Sequence, residues 1–152
     1  MNSEANIICS GHFDTNLRMW DAKTGDMITE MAVHSGQITS VCMTPESYGQ
    51  YILTNAKDNT LKLVDFRTQE VVHTYSEEEY KNAGSWAKAC VSPDGSYVAA
   101  GSTDGNIYIW ETESTKLHSV LKGHKYVVFN PYVLTRVGKL YIVSPGTLPI
   151  PA

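Results

Sequence analysis

No stretch of this chain approaches the ~20 apolar residues that a membrane-spanning helix needs, so a transmembrane segment is not expected. No heptad pattern runs anywhere in it, which excludes a coiled coil, and helix signals are absent. The opening residues, Met1 to Asn6, lack a basic region followed by an apolar one, so they do not read as a signal peptide, and the implied compartment is the cytosol. Cysteine is scarce. Cys9, Cys42 and Cys90 form no CxxC pair, and their odd number argues against a disulfide framework; thiols are expected. Basic residues are outnumbered, 12 against 16 acids, for a net charge of −4. A chain without a basic stripe has little with which to neutralise phosphates, so nucleic acid is not an expected partner. His12, His34, His73, His118 and His124 show no metal-ligand spacing among themselves or with cysteine. Gly95 and Gly105 sit in turn sequences, not in a GxGxxG or Walker pattern. No cofactor, no metal and no enzymatic activity are therefore expected.

What the chain does contain is a repeat. Residues 7–31, 52–75 and 98–121 superimpose. In each, an Asp precedes a large apolar residue by six: Asp14 and Trp20, Asp58 and Val64, Asp104 and Trp110. The Asp positions lie 44 and then 46 residues apart, close to the ~40–45 residue period of propeller blades. Around each Asp the pattern is the same. A short apolar strand precedes a turn built on Asp14-Thr15-Asn16, Asp58-Asn59 or Asp104-Gly105, residue types that suit a tight hairpin turn. Strict alternation follows in residues 17–20, 61–64 and 107–110, the mark of a strand with two distinct faces. Between these segments, residues 38–45 match 86–93 and place Cys42 and Cys90 at equivalent points of an inner strand. Pro93-Asp94-Gly95 closes the next hairpin. The expected fold is all-β: about three four-stranded antiparallel blades of a partial β-propeller, forming an open arc.

Trp20-Asp21 is a literal WD dipeptide, with Trp110-Glu111 and Val64-Asp65 as degenerate copies. Gly123-His124 is a GH signature and Val33-His34 a weaker one. These are the motif residues of WD40 repeats. The segments SGHFDTNLRMWD (10–21), HSGQITSV (34–41), DFRT (65–68), GSWAKACVSPDGSYVAAGS (84–102) and DGNIYIW (104–110) resemble the C-terminal WD domain of the autophagy-related 16 family. The resemblance covers residues 10–121, about three quarters of the chain. It implies a cytosolic, non-catalytic protein-interaction scaffold in autophagosome formation. The domain would belong to the complex that directs lipidation of ubiquitin-like autophagy proteins. Partners would be conjugation machinery or adaptors, with peripheral membrane association only through them. The alternative is a general WD40 adaptor, such as a ubiquitin-ligase substrate receptor or a signalling scaffold.

The repeat also implies a buried polar network in each blade, in which a His, a Ser or Thr, an Asp and a Trp fix the Asp turn. By that analogy Asp14 pairs with Ser10 and Trp20. Asp58 pairs with Thr54 and His34, with Val64 truncating the set. Asp104 joins Trp110, with Ser102 as the candidate hydroxyl. A hydrolase triad of His34, Thr54 and Asp58 is the competing reading and the weaker one. Arg18, Lys62 and Tyr108 share one position on the third strands and are expected to cover blade faces. Glu77, Glu78, Glu79 and Tyr80, followed by Lys81, form a loop insertion ahead of Trp86. This acidic, tyrosine-bearing stretch and Trp86 are the candidate partner contacts, against the simpler reading of a solvated loop.

Both ends depart from the pattern. Residues 7–9 already read as a second strand, with no inner strand ahead. The repeats are assigned to residues 1–124, with blades over about 6–31, 37–75 and 86–121, and 125–152 is a divergent tail or incomplete last blade. Lys125, Arg136 and Lys139 give that tail a net charge of +3 with no acid, against −7 for 1–124. A truncated or spliced product, a gene-model artefact and a merely divergent blade are all readings of this tail, in which 126–129 and 140–143 are candidate strands. An arc of this size leaves blade faces uncovered, so marginal stability is expected.

Overall fold

The computed structural model describes residues 7–44, 50–85 and 87–122, together with the backbone of 132–136, 139–143 and 150–151. Every element among them is a strand. The first sheet holds β1 (Ile7–Gly11), β2 (Asn16–Asp21) and β3 (Met27–Ala32). The second holds β4 (Ile38–Met43), β5 (Tyr51–Ala56), β6 (Leu61–Asp65) and β7 (Glu70–Tyr75). The third holds β8 (Ala89–Val91), β9 (Tyr97–Gly101), β10 (Ile107–Glu111) and β11 (Leu117–Leu121). Each is a meander in which neighbours in sequence pair antiparallel. A further sheet joins β12 (Tyr132–Arg136), β13 (Lys139–Val143) and β14 (Ile150–Pro151). The expected all-β open arc of blades is the observed architecture. Two of the three blades have four strands, and the first has three among the described residues. The candidate strand 126–129 lies outside those residues.

The turns repeat as faithfully as the strands. Asp14, Asp58 and Asp104 each accept a hydrogen bond on Oδ1 from the backbone N–H two residues on, at 3.2, 3.1 and 2.9 Å. These are three copies of one Asx turn. The residue after each Asp has positive φ: Thr15 at 74°, Asn59 at 62° and Gly105 at 83°. Asn and Gly suit that backbone; a β-branched Thr does not. The turns leading into β3, β7 and β11 also match, with positive φ at Gly25, Gln69 and Thr115.

Alternation sends the side chains of each strand to two faces, and the blades meet face to face. Leu17 and Met19 of the first blade pack with Ile38, Ile52, Ala56 and Val64 of the second. On its other face, the second blade sets Leu53, Leu61, Leu63 and Tyr75 against Ala89, Val98, Ala100, Tyr108 and Trp110 of the third. A smaller cluster of Ala99, Ile107 and Ile109 lies on the far face of the third blade. The second blade is therefore buried on both sides and fixes the positions of the Asp turns of its neighbours.

Candidate functional site

The three Asp turns are built alike but held differently. In the second blade Asp58 Oδ2 lies 2.9 Å from His34 Nδ1, and His34 Nε2 lies 2.8 Å from Thr54 Oγ1. Ser35 N–H also donates to Asp58 Oδ2, at 3.1 Å, and the Thr60 hydroxyl donates to Oδ1 at 2.8 Å. The His34 side chain is fully buried. Burial holds its imidazole below the ordinary value, outweighing the Asp58 charge that pulls it up. Burial pushes the Asp58 carboxyl up, but the Thr60, His34 and Ser35 interactions win and it lies below the ordinary value. The pair is thus an ionised carboxylate and a neutral imidazole. Nδ1–H donates to Asp58, and Nε2 accepts from the Thr54 hydroxyl. The sequence expectation brought these three residues together, and the geometry places them so. An Asp–His–hydroxyl chain is also the arrangement of a hydrolase triad. Here Thr54 is fully buried, so its hydroxyl is closed to a substrate. The arrangement can fix a turn; it cannot attack an acyl group.

In the first blade the grouping differs from the expectation. Trp20 Nε1–H donates to Ser10 Oγ at 2.8 Å, as expected. Asp14 does not join them. Ser10 Oγ meets His12 Nε2 at 2.8 Å instead. Asp14 pairs with Arg18 at 2.6 Å, and Arg18 Nε donates to Glu30 at 2.8 Å. Its carboxyl is held low first by the Arg18 hydrogen bond. A guanidinium thus holds Asp14 where an imidazole holds Asp58.

The third blade departs further. Asp104 Oδ2 accepts from the Tyr108 hydroxyl at 2.8 Å and from Asn106 Nδ2 at 2.8 Å. Burial, and then donation to Asp104, push the Tyr108 phenol up to about 12. Trp110 is fully buried, and its Nε1–H has no hydrogen-bond partner among the described residues. Ser102 bonds the loop before it: its Oγ accepts from Lys81 N–H at 3.2 Å. Against the upward push of burial, Ser102 also hydrogen-bonds Asp104 and helps hold its carboxyl low. Trp110 does not join them, which corrects the expected Asp104–Trp110–Ser102 grouping, and the register gives the reason. Ser10 pairs with Arg18, Thr54 with Lys62 and Ala100 with Tyr108, so Ala100 occupies the hydroxyl position and offers none. Arg18 and Tyr108, expected to cover blade faces, each bind the Asp of their own turn, and Tyr108 also packs on the blade face against the second blade.

The loop 76–88 departs most from its sequence reading. Tyr80 is fully buried and cannot present its ring to a partner, so its assignment as a contact residue is corrected. Its ring lies edge-on to Tyr108 and Trp110, with centroids 5.5 and 5.4 Å away. Its hydroxyl donates to Asn55 Oδ1 at 3.0 Å. Asn82 is buried beside it, and its Nδ2 reaches Thr39 Oγ1, Asn55 Oδ1 and Ala56 O at 2.9–3.1 Å. Thr39 is the extra residue of a bulge in β4, and its hydroxyl donates to Ala87 O at 2.9 Å. The insertion thus ties the second blade to the third through Thr39, Asn55, Tyr80 and Asn82. The sequence reading names none of the other three with Tyr80; Asn55, a second polar residue beside Thr54 in a strand buried on both faces, is the available signal. Glu78 and Glu79 are exposed and Glu77 half-buried. Trp86 lies outside the described residues. Among those residues no group of three or more His, Cys, Asp or Glu side chains could hold a metal ion, and no helix is long and apolar enough to cross a membrane.

The repeat family described as "WD domain, G-beta repeat" matches residues 25–65 and 82–111. This is a WD40-repeat protein. The chain is 44% identical over 115 residues to the protein tipD of Dictyostelium discoideum, covering 75% of this chain and 19% of that one. It is 40% identical over 129 residues to autophagy-related protein 16 of Arabidopsis thaliana, covering 79% and 25%. With protein Atg16l2 of Mus musculus it shares 38% over 118 residues, covering 77% and 18%. The matched WD40 region thus spans a quarter or less of the length of these relatives. The resemblance to the autophagy-related 16 family holds across most of this chain.

Proposed function

We propose that this chain is a non-catalytic interaction scaffold of autophagosome formation, acting as the WD portion of the complex that directs lipidation of ubiquitin-like autophagy proteins. The observation that carries this reading is 38–44% identity over about three quarters of the chain to relatives that include two with autophagy-related names. The geometry is compatible with it. The repeated chemistry of the Asp turns is spent on internal hydrogen bonds, and the exposed surface is left for docking. Fold alone does not assign a role. The working place in this reading is the cytoplasm, with recruitment to autophagosome-forming membranes through partners.

The test is affinity purification of the intact chain from starved and fed cells, with identified co-purifying components. The expected result is starvation-enhanced recovery of the ubiquitin-like conjugation machinery or its adaptors. Recovery of ubiquitin-ligase subunits in their place, without starvation dependence, overturns the autophagy assignment in favour of a general adaptor.

A further inference from the structure

The outer strand of each blade begins with the same irregularity. In the first blade Met19 faces Thr29 and Trp20 faces Met27, which leaves Ile28 as an extra residue. In the second, Leu63 faces His73 and Val64 faces Val71, leaving Val72. In the third, Ile109 faces Ser119 and Trp110 faces Leu117, leaving His118. A bulge leaves its extra residue outside the ladder. In the first two blades that residue and its neighbour are apolar and exposed: Met27 and Ile28 at 50% each, Val71 at 42% and Val72 at 44%. The two pairs belong to adjoining blades, joined at the rim by a 3.0 Å hydrogen bond from Thr29 Oγ1 to Gln69 Oε1. Isolated exposed apolar residues need no explanation, but a doubled pair repeated at one position of adjoining blades is a patch.

We infer that this rim, centred on Met27, Ile28, Val71 and Val72, docks an amphipathic helix that carries Lys or Arg beside its apolar stripe. The bulges exclude the other simple mode, because an interrupted edge is a poor template for an added strand. Docking through side chains is what remains, and a helix lays an apolar stripe into such a surface. The charge of the partner follows from the turns that frame the patch. Residues 21–26, 65–70 and 111–116 each hold two acids and one base, and Asp26 and Glu70 stand exposed immediately before the two apolar pairs. That net negative rim attracts a basic-flanked helix and repels an anionic membrane surface. This proposal rests on the reading of the chain as a partner-binding module and names where on it one class of partner sits.

The experiment uses the full chain and a fluorescent helical peptide of leucine and lysine, about 18 residues or five turns long, with a leucine–glutamate peptide of the same pattern as counter-probe. Binding is read by anisotropy. The parent chain is expected to bind the lysine peptide and not the glutamate one. Ile28→Ser with Val72→Ser is expected to weaken binding tenfold or more. Asp26→Lys with Glu70→Lys, which keeps the apolar patch, is expected to do the same. Retained strand circular dichroism certifies the fold of each variant. Equal binding of both peptides overturns the proposal, as does unchanged affinity in either variant. Loss of self-association in the serine variant with peptide binding intact shows that a second copy occupies the rim. Binding of phosphatidylserine vesicles without binding of the peptide assigns it to a membrane. The autophagy reading is judged by which components co-purify, so either proposal can fail while the other stands.

Discussion

Asp14, Asp58 and Asp104 occupy one position in three successive blades, and each turn closes through the same backbone hydrogen bond. What differs is which other side chains touch each carboxylate, and that difference sets what each substitution does. Asp58 is braced by buried His34 and by Thr60. Its removal leaves polar groups unsatisfied at about 1–3 kcal/mol. Asp58→Ala is expected to lower the thermal midpoint clearly, and Asp14→Ala, whose partner Arg18 keeps Glu30, to lower it less. Equal effects in a melting experiment remove this ranking. Trp110 gives the opposite kind of prediction. Ala100→Ser places a hydroxyl where Ser10 serves Trp20, and is expected to add about 1 kcal/mol by satisfying a buried N–H. A denaturant titration that shows no gain, or a loss, refutes it. His34 sets the pH dependence. Its folded-state pKa lies below the ordinary 6.5, so the unfolded chain takes up the proton first as pH falls. Stability is therefore full above about 6.5 and declines below it, with Asp58, also lowered, adding its own loss at more acid pH. His34→Gln should flatten the upper part of that decline, between about pH 6.5 and 5; an unchanged slope there assigns it to other groups.

At the scale of elements, the hairpins are fixed by turn chemistry, and here one local choice conflicts with the backbone. Thr15 has φ of 74° where the equivalent positions carry Asn59 and Gly105. Thr15→Gly is expected to stabilise the chain by about 0.5–1 kcal/mol through relief of that strain, less the entropy that glycine costs. A lower melting midpoint counts against it. The converse holds at Gly36, in the link from β3 to β4. A Cβ there would lie 2.6 Å from Asp58 N and 2.8 Å from Lys57 C. Gly36→Ala is expected to destabilise the fold, since the obstacle is backbone. The strand periods and Asp turns were legible in the sequence because each depends on neighbours within a few residues. The network partners were less so. Ser102 is the candidate hydroxyl for Asp104 and Trp110, yet strand register, which the sequence pattern only implies, puts Ala100 at the position that serves the Trp in the first blade. Tyr80 reads as a candidate partner contact because it sits in an acidic loop insertion. Its burial depends on the gap between two blades, a property no local window carries.

At the scale of the molecule, the three described blades are unequally supported. The second is packed on both faces, against the first through Ile52, Ala56 and Val64 and against the third through Leu53, Leu61, Leu63 and Tyr75. Among the described residues, the first is packed on one. Its other face presents Ile8, 55% exposed, where the equivalent Ile52 and Val98 are fully buried between blades. Trp20 shows the same asymmetry, half-buried where Val64 and Trp110 are enclosed. Local opening requires breaking only the contacts of the unit that opens, so protection against amide exchange should follow this order. The amides of β5 and β6 are expected to exchange slowest and those of β1 and β2 markedly faster, although the hydrogen-bonded ladders of the two sheets are alike. Hydrogen–deuterium exchange with peptide-level mass spectrometry reads this directly. Uniform protection across β1–β7, lost in one sharp cooperative transition, means that the arc unfolds as a single unit and that its uncovered face costs nothing. A graded loss that starts in the first blade makes that face the weak point of the fold, and makes any partner that covers it a stabilising ligand for the whole chain.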